Sequence, residues 1–117
     1  MYSFVFIHDR PLSAAGEEMI AKITAAMGGN SKKNPVVTLP PLPKAKIYIA
    51  LGALALRKFF PGIAAAPGQW IKGGGSETVL VTYSPEYILR FGAVTQAVVK
   101  IKKDMWNSLK TVVQRLK

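Results

Sequence analysis

Three short apolar runs, each followed by a helical pattern, constrain the fold of this chain more than any other feature. The runs are Ser3–Ile7, Ile47–Leu51 and Thr78–Thr82. Near-continuous apolar strands are typical of a sheet that is covered on both faces. Strands that alternate with helices in this order predict a three-layer α/β/α domain with a small, mostly parallel central sheet. The length of 117 residues fits one such domain, residues 1–117.

The helical patterns have recognisable ends. The first predicted helix has Ser13 as its N-cap and stops at Gly28-Gly29. The second covers Ala53–Phe60, and Gln69–Lys72 is interpreted as an edge strand or hairpin arm. The last predicted helix is long and amphipathic, because apolar residues recur every three or four positions. Those residues are Val94, Val98, Ile101, Met105, Leu109, Val112 and Leu116.

The segment Val36–Leu39 resists a simple assignment. It resembles a short strand, but only a few residues separate it from Ile47, and three of them are proline. A parallel crossover through a helix needs about a dozen residues or more. The segment therefore either pairs antiparallel or forms an extended lid outside the sheet, and the lid is the favoured interpretation.

The charge of the chain points to anionic partners. Sixteen Lys and Arg against six Asp and Glu give a net charge of +10. Such a surplus on a small domain favours nucleic acid first and an anionic membrane second, with simple solubility as the alternative.

Several functional classes are excluded or disfavoured by composition. Without cysteine, the chain has no disulfides, no thiolate nucleophile and no cysteine-ligated zinc or iron–sulfur cluster. We expect no metal and no cofactor. No run approaches the roughly 20 apolar residues of a membrane span, and the first residues lack a signal-peptide pattern. A cytoplasmic protein that does not engage the membrane is therefore expected.

A proline-containing turn follows the third apolar run. Ligands usually bind at the carboxyl ends of strands in open α/β sheets. The turn would place Tyr83, Ser84 and Tyr87 at the rim of a cleft, with Arg90 reaching a phosphate. The structural alternative is an ordinary helix start, with Ser84 as N-cap and Pro85 at the first helical position. The two interpretations are compatible.

His8 and Asp9 follow the first apolar run. They could act as a base and its orienting partner, or position a water molecule. Adjacent residues of an extended strand point to opposite faces, however. A role in stabilising the loop, or a solvated position, is therefore the favoured interpretation of the pair.

The last predicted helix carries a basic face. Lys100, Lys103, Lys110 and Lys117 share one side of it. A solvated outer face explains this pattern, and a stripe that tracks phosphates is the alternative.

The turn Tyr83-Ser84-Pro85-Glu86, followed by an apolar residue pair and Arg90, resembles the strand-to-helix turn of the family 4 uracil-DNA glycosylases. That family has Tyr-His-Pro-Ser at the corresponding place. Three blocks of the chain resemble the family in the same order, and the last of them contains this turn. They are Ala15–Gly28, Lys46–Leu56 and Val79–Leu116. The resemblance implies a three-layer α/β domain that binds DNA, flips uracil out of the stack and hydrolyses its glycosidic bond.

The chain also departs from the family pattern. Only Ile7–Pro11 remains where the family has a Gly-Glu-Ala-Pro-Gly-like loop, and the four cluster-binding cysteines are missing. The family's pocket Asn corresponds to Asn34, and the helix after it is deleted. Ser84 replaces the His that stabilises the departing uracil anion, and a neutral hydroxyl is a poorer partner for that charge.

The residue patterns and the resemblance together give the candidate site residues. Candidate catalytic residues are His8, Asp9 and Ser84. Candidate nucleic-acid-binding residues are Asn34, Tyr83, Pro85, Tyr87, Arg90, Lys100 and Lys103.

Two hypotheses follow, and a third has less support. The chain is either a minimal glycosylase that binds DNA and excises uracil weakly, or an inactive relic that binds DNA or another protein. The deleted helix should leave an apolar sheet face bare, which predicts a homodimer or a protein partner. The third hypothesis is a small-molecule enzyme that uses His8 and Asp9.

Overall fold

A computed structural model describes residues 1–92 and 95–117. Within them the chain forms five strands and four helices. The order is β1 (Tyr2–Ile7), α1 (Ala14–Ala26), β2 (Val36–Val37), β3 (Ala45–Leu51), α2 (Ala53–Phe59), β4 (Trp70–Lys72), β5 (Thr78–Thr82), α3 (Pro85–Leu89) and α4 (Gln96–Arg115).

The strands form one mostly parallel sheet, as predicted. Its spatial order is β2-β1-β3-β5-β4. Three pairings are parallel, and β4 alone pairs antiparallel, with β5. The predicted hairpin arm at residues 69–72 is thereby confirmed.

Alternating side chains of the strands belong to two separate hydrophobic cores, one on each face of the sheet. On one face, Phe6, Ile49 and Leu80 pack with α1, α3 and α4. On the other face, Ile7 and neighbouring strand residues pack with α2. The sheet therefore has helices on both faces, which confirms the predicted α/β/α layering.

The helix ends follow the predicted capping chemistry. The Ser13 hydroxyl accepts the Gly16 amide at the start of α1, and Gly28 takes a φ of +84° just beyond its end. Thr95 caps α4, and the predicted stripe faces the core with Val98, Met105, Leu109 and Val112 buried. Val94, the predicted first residue of that stripe, lies outside the described residues.

Membrane insertion was not expected from the sequence. In the part of the chain that the structure describes, no helix combines the length and the apolar character that crossing a bilayer requires.

The prediction for Val36–Leu39 was wrong. Val36 and Val37 pair parallel with Phe6 and Ile7, so the segment is neither antiparallel nor a lid. Residues 38–44 then return to the start of β3 without forming a helix. Seven extended residues span up to about 25 Å, whereas the six residues of β1 cover about 20 Å. An extended crossover is therefore long enough, and no helix is required.

The expected bare sheet face is also absent from the described structure. On the α2 side, Val5, Val79 and the other strand residues are buried. Leu42 of the crossover and Phe59 of α2 pack against them. The extended crossover and α2 thus cover this face of the sheet. The covered face removes the reason given for a homodimer, which stays a prediction.

Candidate functional site

The carboxyl ends of β1, β3 and β5 surround a pocket of about 360 Å³. Its walls are mainly apolar, with several polar side chains among the lining residues. Ile7 and Thr82 end at this same edge of the sheet, although β3 lies between their strands. The lining residues are His8, Asp9, Arg10, Leu51, Gly52, Ala53, Leu54, Pro67, Thr82, Tyr83, Ser84, Glu86, Tyr87 and Arg90.

His8 is buried and hydrogen-bonded through both ring nitrogens. Nδ1 lies 2.7 Å from the carbonyl oxygen of Arg10, and Nε2 lies 2.8 Å from Ser84 Oγ. A carbonyl only accepts, so Nδ1 donates to Arg10; in the neutral form of the ring, Nε2 is then the acceptor of the Ser84 hydroxyl. The Arg10 amide lies 3.5 Å from Nδ1, and that longer contact does not compete.

Asp9 also reaches this imidazole. Its Oδ1 lies 3.6 Å from His8 Nε2. The predicted divergence of the two side chains does not hold, because β1 ends at Ile7 and a bend follows. A solvated position for His8 is also contradicted, since only 1% of its surface is exposed.

Ser84 occupies the predicted helix start. It is the N-cap of α3, with Pro85 at the first helical position, and its Oγ accepts the Glu86 amide at 3.2 Å. Pro85 is buried behind the turn. The capping interpretation is confirmed, and the same hydroxyl lines the pocket.

Glu86 joins α3 to the start of α1. Its Oε1 accepts the Ser13 amide at 2.9 Å and the Ser13 hydroxyl at 2.8 Å. These two bonds, the backbone one foremost, lower the pKa of the Glu86 carboxyl from its ordinary value of 4.5. In a capping box the third helical residue supplies such a carboxylate. That residue here is Gly16, where an added Cβ would collide with Glu86.

Three aromatic rings line up beside the pocket at helical spacing. Tyr83 and Tyr87 are nearly parallel, with centroids 6.0 Å apart, and Phe91 meets Tyr87 edge to face at 5.5 Å. Tyr87 is 45% exposed and Phe91 39%. We call Tyr83, Tyr87 and Phe91 the aromatic ladder. Phe91 was missed by sequence reasoning, although its spacing of four from Tyr87 is the signal that indicates it.

Basic groups surround the same opening. Arg10 and Arg90 line the pocket and are exposed. Lys58 donates to the carbonyl oxygens of Asp9 and Thr38 at 2.8 and 2.7 Å. Lys58 thus ties the His8–Asp9 loop to the crossover.

The candidate Asn34 lies elsewhere. It is buried and does not line the pocket. Its Nδ2 donates to the Phe4 carbonyl at 3.0 Å, and its Oδ1 accepts the Asn30 amide at 3.1 Å. The structure gives this side chain a role in holding the loop before β2.

The lysines of α4 are also separate from the pocket. Lys100 and Lys103 are exposed, and neither lines it. Lys100 pairs with Asp104 at 3.1 Å. Their predicted phosphate contacts stay predictions.

Thr82 has a feature that the sequence did not reveal. Its hydroxyl is buried, lines the pocket and has no hydrogen-bond partner among the described residues. Buried polar groups in proteins are nearly always paired. An unpaired one at a pocket wall is therefore a candidate contact for a bound ligand.

No family model matches the chain, and no curated protein matches it either.

Proposed function

We propose that the protein binds DNA, takes one uracil base into the pocket and hydrolyses its glycosidic bond slowly. The observation that carries this proposal is the meeting of His8, Asp9 and Ser84 at one pocket. Ser84 Oγ lies 2.8 Å and Asp9 Oδ1 lies 3.6 Å from His8 Nε2.

The dimensions of the pocket suit a single base. Small-molecule pockets typically hold about 300–1,000 Å³, and about 360 Å³ lies at the lower end of that range. Apolar walls accept the faces of a planar ring. Thr82 and Ser84 supply polar contacts for its edge.

The surroundings of the pocket suit a DNA strand. Arg10, which pairs with Asp9 at 3.4 Å, and Arg90 both line the pocket. Guanidinium groups bind phosphates through paired donors. The exposed rings of the aromatic ladder offer stacking surfaces for the bases beside the flipped one. The net charge of +10 adds a general attraction to the backbone.

Asp9 is the residue best placed to activate water. It lines the pocket and is partly exposed. In the proposed step the water oxygen bonds to the sugar carbon, the carbon–nitrogen bond breaks, and the water proton passes to Asp9. The bonding electrons leave with the uracil anion. Because Ser84 directs its proton to His8, it stabilises that anion weakly, and we expect slow turnover.

A single-stranded uracil oligonucleotide with excess protein tests this proposal. We expect alkali-labile abasic sites to accumulate, and Asp9→Asn to abolish them while DNA binding persists. Asp104→Asn on α4 is the matched control and should release uracil like the wild type. Absence of abasic product at high excess would reject the enzymatic step.

The alternative is an inactive DNA-binding module. The observation favouring it is that both nitrogens of His8 are engaged within the protein. This alternative predicts DNA binding that weakens steeply with salt, without release of a base.

Sedimentation at several protein concentrations tests the homodimer prediction, because a constant monomer mass excludes it.

A further inference from the structure

We infer that Ser84 is a nucleophile activated by His8, so that the pocket also hydrolyses small apolar esters. This activity goes beyond base excision and needs no DNA. It rests on the two hydrogen bonds of the His8 ring, from Nε2 to Ser84 Oγ at 2.8 Å and from Nδ1 to the Arg10 carbonyl oxygen at 2.7 Å.

His8 is oriented as a general base. The Arg10 carbonyl holds the proton on Nδ1, which leaves Nε2 to take the proton of the Ser84 hydroxyl at 2.8 Å. A nucleophile beside a base that is oriented by a third group is the general pattern of serine and cysteine hydrolases. When the ring becomes positively charged, Asp9 Oδ1 at 3.6 Å stabilises that charge.

Ser84 retains bonding capacity for a substrate. A hydroxyl has one proton and two lone pairs. The proton goes to His8, and one lone pair accepts the Glu86 amide. The second lone pair stays available for an electrophilic carbon in the pocket that Ser84 lines.

Thr82 supplies a donor for the oxygen that becomes charged. Its hydroxyl is buried and without a partner among residues 1–92 and 95–117. Thr82 lies two positions before Ser84, and residues two apart on an extended chain face the same side. Leu51, Leu54 and Tyr87 leave room for a short apolar acyl chain.

The reaction balances with water alone. Ser84 Oγ bonds to the ester carbon, its proton moves to His8 Nε2, and the carbon–oxygen bond to the alcohol breaks. The alcohol leaves with the proton from His8. Water, activated by the same nitrogen, then releases the carboxylic acid and restores Ser84.

Labelling with a fluorophosphonate probe tests the inference. The Ser84–phosphorus bond forms, fluoride leaves, and mass spectrometry of peptides locates the adduct. We expect one adduct, on Ser84. Hydrolysis of p-nitrophenyl butyrate should fall about 100-fold in Ser84→Ala.

Two further variants keep the test decisive. Ser84→Asn preserves a capping oxygen and a donor to His8 without a nucleophile, so it should fold and lose the label. Thr82→Val should lower kcat by about 100-fold with little change in KM. Ser108→Ala, on α4, is the control and should label normally.

The outcomes separate this inference from the proposed function. Adducts only on Lys or Tyr, or no adduct at all, overturn the inference whether or not uracil is released. An adduct on Ser84 without uracil release supports the inference and leaves base excision refuted.

Discussion

Two buried polar clusters on the same sheet differ in how completely their groups are paired. Asn34, before β2, has its amide donors and its oxygen bonded to Ser3, Phe4 and Asn30. At the carboxyl ends of the strands, Thr82 has no partner among the described residues.

The difference distinguishes a buried polar group that stabilises the fold from one that is free to contact a ligand. Asn34 is fully bonded inside the protein and lies outside the pocket, so its role is to stabilise the fold. An unpaired group beside a pocket is available to a ligand. The family resemblance predicted both Asn34 and Ser84 as site residues, yet only Ser84 lines the pocket.

The largest expected effect is on stability at the first cluster. Asn34→Ala should lower the free energy of unfolding by about 2–3 kcal/mol, because the Phe4 carbonyl and the Asn30 amide lose their partner. Urea unfolding measures it. DNA affinity at temperatures where the variant is folded should not change. A selective loss of DNA binding would assign Asn34 to the site and break the comparison.

The next effect concerns the aromatic ladder. Tyr87→Ala should weaken binding of single-stranded DNA by about 10-fold, because stacking on one ring contributes about 1–3 kcal/mol. Fluorescence anisotropy at fixed salt measures it. Unfolding should change little, since the ring is 45% exposed. Val99→Ala removes a similarly exposed apolar side chain from α4 and should bind as the wild type does.

A smaller effect of opposite sign is expected at Thr82. Thr82→Val removes an unpaired buried hydroxyl with little change of shape, so it should raise the free energy of unfolding by about 1 kcal/mol. Thermal or urea unfolding shows it. Destabilisation instead would mean that the hydroxyl has a structural partner, and its role as a ligand contact would fail.

The smallest effect depends on pH. Ser13 lowers the pKa of Glu86 in the folded protein, so the stabilisation is present above the ordinary carboxyl pKa of 4.5 and is lost as pH falls through the lowered value. Glu86→Gln should therefore lose less stability than the wild type between pH 5 and strongly acidic solution. Parallel acid-induced unfolding curves for the two proteins would show that Ser13 does not stabilise the carboxylate.

Local sequence patterns predicted much of the fold. Ser13, Thr78–Thr82 and the stripe on α4 followed short-range rules of capping and periodicity. The parallel pairing of Val36 was missed, because the expectation assumed a helical crossover. Residues 38–44 are long enough to connect β2 to β3 in an extended conformation.

The site was predictable in position and less so in its contacts. The turn at Ser84 and the end of the first strand were both identified beforehand. The bond between His8 and Ser84 spans 76 positions, and the bonds between Ser13 and Glu86 span 73. Side-chain partners so distant in sequence have no local pattern that reveals them. The unpaired hydroxyl of Thr82 is visible only once its surroundings are known.

The most direct test of the central claim is a titration of the isotopically labelled protein with a uracil-containing single-stranded oligonucleotide, followed by amide NMR. The account predicts the largest shifts at Gly52, Ser84 and Tyr87, with the Asn30–Asn34 loop nearly unchanged. Shifts centred on that loop or confined to α4, with the pocket amides unmoved, would contradict it.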